Sequence, residues 1–147
     1  MTIDVDLHNF GPARRAPESL AGCGGVVEAG ELPVTAHARA RRLASADVVL
    51  VTGDGEPAER VVLEGQASGT PVVVIAGSSA AALVRPRRTG LVCDPDARSI
   101  AAALEELAGA PALRSRLAAE ALEAARAHHA AVGAIAASSA SGLAAAA

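Results

Sequence analysis

The chain has 147 residues, a formal net charge of −3, 51% hydrophobic residues and 20% charged residues. That length fits one domain of roughly 100–200 residues, and the composition excludes a chain too polar to build a core. One Phe, no Trp and no Tyr leave no stacking platforms, and the charge gives no basic field, so nucleic acid is not an expected partner.

Short β-branched runs alternate with helix-like stretches. Thr2–Leu7 is predicted as a strand, with Ile3, Val5 and Leu7 on one face and Asp4, Asp6 and His8 on the other. Gly11-Pro12 ends it, and Arg14–Ala21 reads as a weak helix. A strand is expected within Cys23–Gly30, then a helix over Thr35–Ala46 with Ala36, Ala40 and Leu43 at helical spacing. Asp47–Val51 has the apolar character of a strand buried on both faces. A turn at Gly53-Asp54-Gly55 leads to a helix over Pro57–Ser68, with proline at its first position and Gly69 as its stop. Pro71–Ile75 is a second buried strand, Ala80–Val84 a helical turn and Gly90–Cys93 a short strand. Ala97–Ala108 and Ala112–Ala127 read as helices, split by Gly109-Ala110-Pro111.

Strands separated by helices of this length define βαβ units: an α/β fold with a parallel, Rossmann-like sheet and helices on both faces. Asp47–Val51 and Pro71–Ile75 are expected side by side at its centre. The domain is drawn over 1–127, and 128–147, rich in Ala and Ser, is a tail expected to be poorly ordered for want of an amphipathic stripe, with a helical continuation as the alternative. The N-terminus lacks the basic and apolar regions of a secretory signal, and no apolar run approaches the ~20 residues of a membrane span. A soluble, cytoplasmic protein is the expectation. Cys23 and Cys93 have no metal-type spacing and are expected as free, partly buried thiols. Adjacent His128 and His129 do not share a helix face, so no metal site is assigned.

Parallel sheets of this kind bind ligands at the carboxyl ends of their strands, which directs attention to the loops after Leu7, Val51 and Ile75. Glu56 stands at the predicted strand-to-helix junction and Glu64 two turns further on, roughly 12 Å along the helix axis. That distance suits a nucleoside diphosphate sugar, with one carboxylate on ribose hydroxyls, the other on hexose hydroxyls, and a helix N-terminus for the diphosphate. The spacing by itself favours solvated helix glutamates, which are common.

The order of motifs adds weight. Ala46-Asp47-Val48, the Glu56-x7-Glu64 pair, Glu64-Gly-Gln-Ala-Ser-Gly-Thr-Pro-Val-Val73 and Thr89-Gly-Leu-Val-Cys-Asp-Pro95, followed by two helical stretches, resemble the nucleotide-binding C-terminal half of retaining GT-B glycosyltransferases of family 4, also called group 1. The resemblance is strongest over residues 25–127. It implies transfer of a hexose from a UDP- or GDP-sugar to an acceptor hydroxyl without a bound metal or other cofactor. It places Glu64 on the ribose, Glu56 on the transferred sugar as the catalytic-site carboxylate, and the amides of Ala58, Glu59 and Arg60 on sugar and diphosphate.

Departures accompany it. Where the family carries Phe-Gly between the glutamates, this chain has Ala58-Glu59, which puts a carboxylate beside the phosphates. The family's Arg and Lys on the diphosphate come from an earlier βα unit, and this chain has no lysine. An N-terminal acceptor domain is therefore the expected partner. The alternative is a catalytically inert Rossmann-like module that binds a nucleotide or a protein. The clusters Arg39, Arg41, Arg42 and Arg85, Arg87, Arg88 are read as solvated surface, with contact to anionic lipid as the functional alternative. Ser78 and Ser79 either line the cleft or make a turn.

Overall fold

The structure, a computed structural model, describes residues 2–6, 26–29 and 35–145, with side chains over 35–134. In chain order the elements are β1 (Thr2–Asp6), β2 (Val26–Ala29), α1 (Ala36–Ser45), β3 (Val48–Val51), α2 (Gly55–Ala67), β4 (Val72–Ile75), a 3₁₀ turn (Ser79–Leu83), β5 (Gly90–Cys93), α3 (Ala97–Gly109) and α4 (Pro111–Ala145). The predicted helix at Arg14–Ala21, together with His8 and Cys23, lies outside the described residues.

The five strands form one parallel sheet in the order β2-β1-β3-β4-β5. β3 and β4 are neighbours, as expected, with Val49 opposite Val72, Leu50 opposite Val73 and Val51 opposite Val74. Every residue of β3 is buried, because a central parallel strand is covered on both faces.

Successive side chains of a strand point to opposite faces, so β3, β4 and β5 each feed two cores. Val48, Leu50, Val73 and Leu91 pack with Ile100, Leu104 and Leu107 of α3 and Leu117 of α4. Val49, Val51, Val72 and Val74 pack with Leu43 of α1 and Ala58, Val61 and Val62 of α2. Helices therefore cover both faces, and the α/β Rossmann-like expectation holds.

Several local expectations shift. α2 begins at Gly55, two residues before the predicted start, because the Asp54 side chain caps it by accepting from the Gly55 amide at 2.9 Å. Pro57 then sits third in the first turn, where its missing N–H still costs no helical bond. Ala36 and Ala40 of α1 are exposed, and only Leu43 of that predicted stripe is buried. α4 continues as helix past residue 127 to Ala145. Alanine has the highest helix propensity, so an Ala-rich stretch extends a helix already nucleated by packing. His128 and His129, like residues 130–134, are exposed on that extension.

The α2-to-β4 connection is a Schellman ending. Gly69, at φ +70°, donates to Gln66 O at 3.1 Å, and Thr70 N donates to Gly65 O at 3.0 Å. The same turn anchors α1, since the buried Thr70 hydroxyl donates to Leu43 O at 2.7 Å. Gln66, also buried, donates from Nε2 to Leu83 O at 3.1 Å and ties α2 to the 3₁₀ turn. Gly90 opens β5 for a steric reason. A Cβ at Gly90 would lie 2.4 Å from Val72 O and 2.9 Å from Val84 Cγ1.

Candidate functional site

The strand order runs outward in opposite directions from the β1–β3 boundary. Crevices at such a reversal, outside the carboxyl ends of the strands, are where sheets of this kind take ligands. The described segments there are the β3–α2 loop, Thr52 to Asp54, and the β4–3₁₀ loop, Ala76 to Ser78.

Asp54 joins these two loops. Its Oδ1 accepts from Ser79 N at 2.7 Å and from Gly55 N at 2.9 Å, and Gly55 N also donates to the Ser79 hydroxyl at 3.0 Å. The Ser79 amide, then its hydroxyl, then the Gly55 amide hold the Asp54 carboxyl below the usual carboxylate range. One side chain thus satisfies the first turns of two helical segments. Ser78 performs the turn role foreseen as one of its options: its hydroxyl donates to Ile75 O at 2.8 Å and accepts from Ala81 N at 3.3 Å.

The two glutamates of α2 have different surroundings. Glu56 is 89% exposed and its nearest cation is Arg60, one turn on, at 3.9 Å. Glu64 is half-buried, with 27% of its side chain exposed, against 16% for its partner Arg39. The guanidinium of Arg39 grips it with two bonds: Nε to Oε2 at 2.9 Å and Nη2 to Oε1 at 2.8 Å. That hydrogen-bonded carboxylate is the main cause that raises the Arg39 pKa.

Among the other predicted site residues, the Ala58 side chain is buried against the sheet, Glu59 is half-buried and Arg60 is exposed. With α2 starting at Gly55, the amides of Ala58, Glu59 and Arg60 fall within the i→i−4 pattern of the helix. The open first-turn amides are instead those nearer Asp54, and Gly55 already spends its own on Asp54 and Ser79.

Arg39, expected with Arg41 and Arg42 as solvated surface, is instead mostly buried and paired with Glu64. A helical signal was available: Arg39 precedes the buried Leu43 by four residues and so shares its face. Arg87 and Arg88 do lie on the surface, where they pair with Glu106 of α3 at 2.6 Å and Glu120 of α4 at 2.9 Å. Cys93 is a free, half-buried thiol; burial, then Asp94 and Asp96, pushes it up. It lines an open cavity of about 520 Å³ beside β5 and α3, on the sheet face away from α2. Among the described residues, no three His, Cys, Asp or Glu side chains cluster as metal ligands, and no helix is long and apolar enough to cross a membrane.

Residues 2–110 match the family Glycosyl transferases group 1. Over 95 residues the chain is 43% identical to a D-inositol 3-phosphate glycosyltransferase of a Nocardioides species, covering 64% of this chain and 21% of that protein. It is 38% identical over 77 residues to the lipopolysaccharide core biosynthesis glycosyltransferase LpsE of Rhizobium meliloti, covering 52% and 23%. The chain thus spans about a fifth of the length of these relatives. Its fold is similar to that of Anabaena Alr3699/HepE, solved with UDP and glucose, with a TM-score of 0.66 at 17% identity over 84% of this chain and 43% of that one. It is also similar to sucrose-phosphate synthase from Thermosynechococcus elongatus, with a TM-score of 0.63 at 23% identity over 86% and 41%. The parallel sheet with its flanking helices, the Glu56–Glu64 spacing on α2 and the family match over most of the chain make this protein a member of the group 1 glycosyltransferases, carrying the C-terminal, Rossmann-like half of a GT-B fold.

Proposed function

We propose that the chain supplies the donor-binding half of a retaining glycosyltransferase, which moves a hexose from a UDP- or GDP-sugar to an acceptor hydroxyl in the cytoplasm. The observation that carries this is Glu64, a half-buried carboxylate held in a fixed plane on the helix that follows β3. Each of its oxygens keeps an acceptor direction beyond the one Arg39 uses, so the carboxylate can still accept from a ribose hydroxyl. Glu56, exposed at the start of α2, is free to reach the transferred sugar. The solved relative that holds UDP and glucose supports the ligand class.

An acceptor-binding domain on another part of the protein is the proposed partner. Holding acceptor against donor supplies roughly 7–11 kcal/mol of a barrier, so this chain alone turns over poorly. A second reading, a catalytically inert Rossmann-like module that binds a nucleotide or a partner protein, draws on the same helix. The amides of Ala58 to Arg60 are engaged within α2, and Glu59 sits where a diphosphate would be repelled.

Titration calorimetry with UDP and with GDP tests the donor reading. Loss of a charge-assisted hydrogen bond predicts that Glu64→Ala weakens nucleotide binding about tenfold or more. Glu56→Ala leaves it nearly unchanged. Unchanged affinity in Glu64→Ala with loss in Glu56→Ala would reverse the assignment. Robust sugar transfer by the purified chain would show that the site is complete without a partner domain.

A further inference from the structure

We propose that Arg39 is a positioning residue for nucleotide recognition: its guanidinium fork fixes the plane of the Glu64 carboxylate, so that an acceptor direction the fork leaves open meets a hydroxyl of the ribose. This rests on the donor-binding reading of Glu64 and goes beyond it, because Arg39 comes from α1, outside the motif that marks the glutamates.

The geometry is that of an orienting contact. Both carboxylate oxygens are engaged, at 2.9 and 2.8 Å, by Nε and Nη2 of one planar group. A two-point contact of this kind sets orientation as well as distance. Neither partner is a loose surface side chain, since only 16% of Arg39 and 27% of Glu64 is exposed.

The helices beneath them are also locked to each other. Leu43, one turn after Arg39, is fully buried and its carbonyl accepts the Thr70 hydroxyl at 2.7 Å. Thr70 in turn belongs to the Schellman ending of α2 and bonds Gly65 O, the residue after Glu64. The backbones that carry Arg39 and Glu64 are therefore held in register by a buried hydrogen bond, and the fork closes over that anchored frame. An unsupported glutamate on a helix samples several rotamers, and a ribose hydroxyl needs its acceptor in one place. Arg39 removes that freedom before the nucleotide arrives.

A role limited to stability and a role in positioning differ in what they do to ribose discrimination. The experiment compares UDP with 2′,3′-dideoxy-UDP, and GDP with its dideoxy counterpart, by titration calorimetry on the full chain, on Arg39→Ala and on Arg39→Lys. The parent chain is expected to prefer the ribonucleotide by about tenfold or more, the value of a hydrogen bond to a charged acceptor. In Arg39→Ala the preference falls below roughly threefold, and Arg39→Lys lies between, because a point charge keeps the attraction without the fork. Arg39→Lys preserves charge and bulk and carries the comparison if Arg39→Ala does not melt cooperatively.

A variant that loses affinity for both nucleotides alike, and so keeps the preference, overturns the proposal. Tighter ribonucleotide binding by either variant also overturns it, since the pair would then be competing with the ligand. A parent chain that binds nucleotide but shows no ribose preference overturns the assignment of Glu64 itself, a result distinct from failure of Arg39 alone.

Discussion

The Asp54 carboxylate accepts a 2.7 Å hydrogen bond from the amide of Ser79, 25 residues further along the chain. This contact closes the carboxyl-end rim of the sheet between β3 and β4. An anion is already resident where the α2 amides open, and it is part of the protein.

Acid sensitivity follows from this contact. Asp54 and the α3 cap Asp96, which accepts from Arg98 N and Ser99 N at 3.0 and 2.9 Å, are both held below the ordinary carboxylate range. Their stabilisation is fully present above the unfolded carboxylate value of about 4, and is lost as pH falls through the lower folded values. Asparagine caps about as well as aspartate but does not titrate. The Asp54→Asn, Asp96→Asn double variant should therefore lose less Tm than the parent between about pH 6 and pH 3. Parallel acid profiles of the two proteins, measured by circular dichroism, would count against this account.

Two glycines should respond to alanine with opposite signs. At Gly90 an added Cβ lies 2.4 Å from a backbone oxygen, so the β4–β5 pairing must shift. Gly90→Ala is expected to cost about 3 kcal/mol or more. At Gly133 an added Cβ meets nothing within 4 Å on an exposed helical turn. There the substitution should stabilise by about 0.5–1 kcal/mol. Urea unfolding of both variants reads the two signs directly.

The contribution of α4 is concentrated in its first turns. Leu117 is fully buried in the core beneath β5, whereas Val132 is 52% exposed. Leu117→Ala should cost about 2–5 kcal/mol, and Val132→Ala less than about 0.5 kcal/mol. Similar losses at both positions would show that the extension of α4 packs against something in solution.

Much of this architecture is legible in local chemistry. Asp47–Val51 and Pro71–Ile75 carry β-branched runs that only a covered parallel sheet accommodates, and they pair at its centre. Gly69 stops α2 because a left-handed residue ends a helix wherever the chain folds. The glutamate spacing on α2 likewise depends only on helix geometry. The start of α2 was displaced because its cap draws on Ser79, a residue that no local window around Pro57 contains. The extent of α4 was underestimated because the alanine-rich extension lacks an amphipathic stripe, while its nucleus is fastened by Leu113, Leu117 and Ala121 upstream.

The amino-acid sequence by itself determined the strands, the helices, the βαβ class and the presence of two glutamates two turns apart, because each depends on interactions within one element or its immediate neighbours. Only the tertiary structure decided that these glutamates are unlike. Glu56 stands in solvent, and Glu64 is clasped by Arg39 from another helix. Pairings of that kind depend on the register between α1 and α2, which the buried Thr70–Leu43 hydrogen bond sets across 27 residues of chain. No periodicity within either helix encodes that distance, because it exists only once the hydrophobic face of the sheet has brought the two helices side by side.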